Sequence, residues 1–127
     1  MYTAHLKIHL IFVVKYRKRL IETELKEFLC KETLGASLSQ KFRILIQGGE
    51  ADHMHFLIEY LPSISVSKIV ERIKQKSTVN LWKRFPEILR RHFWKEHTFW
   101  SDGYYVSSVG KISEEVVKKY IGSQYSA

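Results

Sequence analysis

An α+β fold follows from three features of the 127-residue chain. Segments rich in β-branched and aromatic residues alternate with segments whose apolar residues recur at helical spacing. Turn residues separate the two kinds of segment. The resulting order is β-α-β-β-α-β with one more helix at the end. It predicts a ferredoxin-like (RNA-recognition-like) βαββαβ sandwich, a four-stranded antiparallel sheet with two helices on one face.

Each element has its own warrant. His5 to Val14 reads as a strand, which empties into the basic cluster Lys15-Tyr16-Arg17-Lys18-Arg19. Glu22 to Leu38 sets Leu25, Phe28 and Leu29 at helical spacing behind acidic residues, so it reads as a helix. Phe42 to Gln47 alternates into Gly48-Gly49, and His53 to Tyr60 follows: strand, turn, strand. Pro62 ends that strand, and Ser63 or Ser65 can cap what comes next. Val66, Ile69, Val70 and Ile73 mark an amphipathic helix running to about Trp82, before Pro86. Arg90 to Trp100 is aromatic and basic without a period, which predicts a loop or a short strand. Ser101-Asp102-Gly103 is a turn, and Tyr104 to Val109 a strand closed by Gly110. Ser113 then caps a helix over about residues 113–124, with Glu114 and Glu115 near its positive end.

Composition is even along the chain, so residues 1–127 read as a single domain. Forty-five per cent hydrophobic and 27% charged residues exclude a disordered chain. Twenty-one Lys+Arg against 13 Asp+Glu give a net charge of +8. That balance suits a polyanionic partner, nucleic acid first and an anionic membrane surface second; a solvated basic surface is the plain alternative. The single cysteine, Cys30, excludes an internal disulfide framework and fits a reducing compartment. No signal peptide is visible, and the apolar run Leu10 to Val14 falls far short of the ~20 residues that span a bilayer. These features predict a soluble cytoplasmic protein without a membrane partner.

Three constellations carry chemistry. The first is Asp52-His53-Met54-His55-Phe56-Leu57-Ile58. Side chains alternate along a strand, so His53 and His55 share a face and can bind one divalent metal. The helices belong on the other face of the sheet, so the histidine face should be open. A His-x-His pair is also compatible with a purely structural role. The second is Val116, Tyr120 and Gln124, four residues apart on one helix face, which places a possible nucleophile beside an oxygen ligand. A packed amphipathic helix is the bland alternative. The third is basic and aromatic interleaving. Lys68, Arg72 and Lys76 recur every four residues, and residues 83–100 mix cations with large rings. Cations hold phosphates and rings stack on unpaired bases, unless the rings fill the core; Trp82 and Phe93 are expected to be at least partly buried.

Together these segments resemble the small single-tyrosine HUH (His–hydrophobic–His) transposases of insertion sequences that move as single-stranded DNA. His53-Met54-His55 satisfies the core motif. Phe99 to Gly110 resembles the second characteristic block, and Lys119-Tyr120-Ile121-Gly122-Ser123-Gln124 the tyrosine helix. His9 to Arg19 is similar to the family's first strand and basic turn.

The resemblance implies Tyr120 as the nucleophile, forming a 5′-phosphotyrosine link and a free 3′-hydroxyl. It implies a divalent cation on His53, His55 and Gln124, with Mg²⁺ as the cellular ion and Mn²⁺ able to substitute. It implies single-stranded DNA with hairpin ends as partner. Lys15, Arg17, Lys18, Arg19, Lys68, Arg72 and Lys76 are the candidates for that contact. It also implies a homodimer, in which the tyrosine helix can dock on the other subunit and Gly110 can serve as hinge. Gly122 and Ser123 depart from the family pattern, and a helical glycine costs about 1 kcal/mol against alanine; fraying there would loosen Gln124. Tyr125 is a lesser candidate nucleophile. Three other readings remain: a host-adapted relative acting on palindromic repeats, a non-catalytic nucleic-acid-binding module, and a metal oxygenase drawing on Glu59.

Overall fold

The computed structural model describes residues 6–38 and 41–124, without the side chains of residues 111–113, 123 and 124. Strand β1 (Leu6–Val13) leads through a single 3-10 turn (Lys15–Arg17) into helix α1 (Thr23–Leu38). A hairpin follows, β2 (Phe42–Glu50) and β3 (His53–Tyr60). Then come α2 (Val66–Arg84), α3 (Pro86–His92), β4 (Tyr105–Ser108) and α4 (Lys111–Gln124). The four strands form one antiparallel sheet in the order β2-β3-β1-β4, the ferredoxin-like order expected. His5 and Tyr125 lie outside the described residues.

Alternation decides which face of the sheet does what. Ile8, Leu10 and Phe12 of β1 and Met54, Phe56 and Ile58 of β3 are all buried. They join Leu25 and Leu29 of α1 and Ile69 and Ile73 of α2 in one core. Trp82 and Phe93 are buried in it as well. Ser65 caps α2, its hydroxyl accepting the Lys68 N–H at 3.1 Å.

Four expectations are corrected. Residues 86–92 form a helix, with Pro86 in its first turn where a missing N–H costs nothing; Trp100 adds an isolated bridge to Val14. The hairpin turns at Ala51-Asp52 and not at Gly48-Gly49, because β2 continues to Glu50 opposite His53. Gly49 remains in the ladder because a Cβ there would sit 2.2 Å from the His53 carbonyl oxygen. Helix α4 starts at Lys111 rather than being capped by Ser113, since the Glu114 N–H already donates to the Gly110 carbonyl at 2.9 Å. It also runs through Gly122 to Gln124 without a break.

The fourth correction bears on the site. The histidine face of the sheet is not open: α4 packs across β2 and β3. Ile121 of α4 and Leu57 of β3 are both fully buried yet stand outside the main core. Leu57 faces away from that core by alternation, so the sheet carries a second, smaller apolar layer beneath α4.

Candidate functional site

His53 opens β3, and His55 follows two residues on, as the strand period requires. The ring centroids stand 5.0 Å apart. His53 Nδ1 lies 2.8 Å from Asp52 Oδ1. That bond, with the Arg17 charge adding to it, holds the Asp52 carboxyl below its usual range. A carboxylate on Nδ1–H leaves the lone pair of His53 on Nε2.

His55 is buried, 3% exposed. Its Nδ1 lies 2.8 Å from His9 Nε2, and the two rings stack at 5.0 Å. Burial first, then the neighbouring His9 and His53, push the His55 pKa down to about 4, so it is neutral at pH 7. Burial lowers His9 too. His9 is the residue that sequence reasoning did not select. It faces away from Ile8 and Leu10, and antiparallel pairing sets it against Leu57, diagonal to His55.

Tyr120 is brought to this cluster by α4. Its ring lies edge-on to His55 at 5.0 Å and to His9 at 6.5 Å, and it remains 48% exposed. Val116, one turn earlier, points outward at 65% exposure, and Ile121 is the residue that anchors the helix. An ion pair ties the first turn of α4 to β1: Lys7 Nζ lies 2.5 Å from Glu114 Oε1, and Lys118 Nζ lies 3.0 Å from Glu114 Oε2. The side chain of Gln124 lies outside the described residues.

The donor set suits a divalent cation in part. Two imidazoles on one face, one of them held neutral and each with Nδ1 engaged elsewhere, can offer two nitrogen donors. Among the described residues no group of three or more His, Cys, Asp or Glu forms a metal site. Glu59 is not part of the cluster, since its carboxylate is held by Arg43 at 2.9 Å.

The basic candidates fall into two groups. Lys15, Arg17, Lys18 and Arg19 lie on and just after the turn that follows β1, next to the histidine end of the sheet. Lys15 binds Glu96 at 2.7 Å, and Arg17 reaches Asp52 at 3.4 Å. Lys68, Arg72 and Lys76 are exposed on α2, across the sheet from the histidines. Lys68 pairs with Glu71 at 3.4 Å, while Arg72 and Lys76 line a shallow groove with Gly35 and Asn80. No helix among the described residues is long and apolar enough to cross a membrane.

A ferredoxin-like sheet with a His-x-His pair on one strand and a tyrosine-bearing helix laid over it defines the class in which this chain belongs. The family model for IS200-like transposases matches residues 2–124, and the chain is a member of that family. It is 31% identical over 118 residues to the transposase for insertion sequence element IS200 of Salmonella typhimurium, spanning 93% of this chain and 76% of that one. It is 24% identical over 124 residues to the ISDra2 transposase TnpA of Deinococcus radiodurans, spanning 98% and 87%. Among solved structures, a candidate transposase from Deinococcus radiodurans R1 superposes with a TM-score of 0.78 at 22% identity, covering 99% of this chain and 95% of that one. A REP-associated tyrosine transposase bound to a REP hairpin gives 0.64 at 12% identity, covering 98% and 67%. These two share the fold.

Proposed function

We propose that residues 1–127 act as one domain that cleaves and rejoins single-stranded DNA at insertion-sequence ends through Tyr120. The observation that carries this reading is the Tyr120 ring lying 5.0 Å from that of His55, on the sheet face that also holds His53 and His9.

The Tyr120 oxygen attacks a phosphodiester phosphorus and gives up its proton. A P–O(Tyr) bond forms on the 5′ side, and the 3′ oxygen leaves and takes up a proton. A 3′-hydroxyl later attacks that link, re-forms the phosphodiester and returns the phenol. The number of ester bonds is conserved, so no nucleotide energy source is consumed. An unperturbed phenol has a pKa of about 10, so attack needs help with the proton and with the charge gathering on phosphate.

His53 and His55, with Gln124, are the residues that would hold a divalent ion, Mg²⁺ with Mn²⁺ able to substitute. Such an ion, when bound, would polarise a phosphate oxygen. Asp52 and His9 orient the two imidazoles. Lys15, Arg17, Lys18 and Arg19 hold the incoming strand near the site, and Lys68, Arg72 and Lys76 hold hairpin phosphates. The assembly is a homodimer. In support, edge strand β4 presents exposed Tyr105 and Val106, and unpaired edges invite strand pairing.

The test mixes the chain with labelled single strands drawn from both flanks of its gene, with Mg²⁺ or Mn²⁺, on a denaturing gel. A covalent adduct absent with chelator, with duplex and in Tyr120→Phe is expected. Binding at both flanks without any adduct would overturn the catalytic reading.

A further inference from the structure

A cavity of about 570 Å³ opens beside the turn that follows β1, lined by Tyr16, Lys18, Phe93, Trp94, Lys95 and Glu96 among others. Phe93 is buried and belongs to the core. Tyr16 and Trp94 do not, being 71% and 73% exposed. Large rings left in water beside a concavity mark a binding surface more often than chance does.

The backbone supports the same conclusion. Tyr16 and Arg17 have φ of 61° and 51°, two consecutive non-glycine residues in the left-handed region. Such strain persists only where the surroundings impose it. Here the Val14 N–H donates to the Asp52 carbonyl and the Lys15 N–H to the Phe99 carbonyl, both at 2.8 Å. The turn therefore presents the Tyr16 ring on a fixed frame. Lys95 Nζ stands 5.0 Å from the Trp94 ring, and the acid of the lining, Glu96, is matched by Lys15 at 2.7 Å. Asp52 joins this turn to His53, so the frame that carries Tyr16 is tied by hydrogen bonds to the histidine cluster.

Flat apolar faces next to cations match a base joined to its phosphate. In a duplex those faces are already stacked. We propose that this cavity seats one unpaired base of the DNA strand, with Trp94 and Tyr16 as stacking surfaces and Lys18 and Lys95 on the adjoining phosphates. The proposal rests on the single-strand reading above and names the part of the chain that distinguishes unpaired from paired DNA.

The test measures binding of the full chain to three probes: a 20-mer of thymidine, an all-abasic 20-mer and a blunt duplex. Trp94→Ala should weaken the thymidine strand about tenfold and the other two less than twofold, and Trp94→Phe should recover most of the loss. Equal weakening of all three probes, or of none, overturns the base seat. Adduct formation is read in parallel. Normal adduct with a Trp94→Ala effect confined to no probe overturns the seat alone, whereas binding without adduct by the parent chain overturns the catalytic reading alone.

Discussion

His9 Nε2 and His55 Nδ1 meet at 2.8 Å across adjacent strands, although 46 residues separate them in the chain. The contact fixes the ring of a buried histidine whose neighbour two residues before it is fixed by Asp52. In the proposed metal site His9 would therefore act as a positioning residue behind His55. His9→Ala should raise the Mn²⁺ concentration for half-maximal adduct about tenfold, the usual cost of losing a partner behind a metal-ligating histidine. His9→Asn, which keeps a polar group on that strand face, should lose less. A metal requirement unchanged in both variants would remove His9 from the site.

The Lys7–Glu114 pair makes helix docking sensitive to acid. The bond from Lys7, then that from Lys118, holds the Glu114 carboxyl below its ordinary value of 4.5. A carboxyl depressed in the folded state adds stability that is complete above that ordinary value. The contribution fades as pH falls through the lower folded one. Hydrogen exchange in α4 should therefore speed up below about pH 4.5 relative to the core strands. Glu114→Gln should show faster exchange already at neutral pH and a smaller acid response.

Gly49 and Gly122 should respond oppositely to alanine. At Gly49 a Cβ would meet the His53 carbonyl oxygen at 2.2 Å and Met54 Cα at 2.9 Å, both backbone. Gly49→Ala should cost about 3 kcal/mol or more in denaturant unfolding and reduce adduct by displacing His53. At Gly122 nothing stands within 4 Å and the helix is continuous. Gly122→Ala should stabilise α4 by about 1 kcal/mol.

Ser77 is a polar keystone of the main core. Its hydroxyl donates to the Ile73 carbonyl at 2.7 Å and accepts the Trp100 indole N–H at 2.9 Å. Ser77→Ala leaves that indole N–H buried without a partner, which should cost about 1–3 kcal/mol. Ser77→Thr keeps the hydroxyl and separates hydrogen-bond loss from packing.

Much of this was legible because it rests on local periodicity. The helical spacing of Val66, Ile69, Val70 and Ile73 assigns a buried face, and the structure buries Ile69, Val70 and Ile73 on it; the β-branched and aromatic content of the first strand likewise marks an element that the structure forms. Helix α3 escaped because it is seven residues long with Leu89 as its buried residue, too short for a period to register; Pro86 at its first position was the readable sign. His9 escaped for a different reason. Its strand and its face follow from alternation, but the register that brings it diagonal to His55 is a property of two strands together. The covering of the histidine face by α4 was likewise unreadable, since the sequence shows that a helix is amphipathic and not which surface it will cover. Ile121, not the tyrosine stripe, is what seats it.

The strand order β2-β3-β1-β4 also bears on how the site comes into being. The hairpin of β2 and β3 is local in sequence and closes at little loop entropy, and the period of β3 alone sets His53 and His55 on one face. His9 must be brought in from the chain's beginning and Tyr120 from near the other end. During synthesis the imidazole pair is therefore assembled while the tyrosine is still to be made. Under the proposed mechanism, a chain stalled before α4 would carry two candidate metal ligands and a basic turn but not the nucleophile.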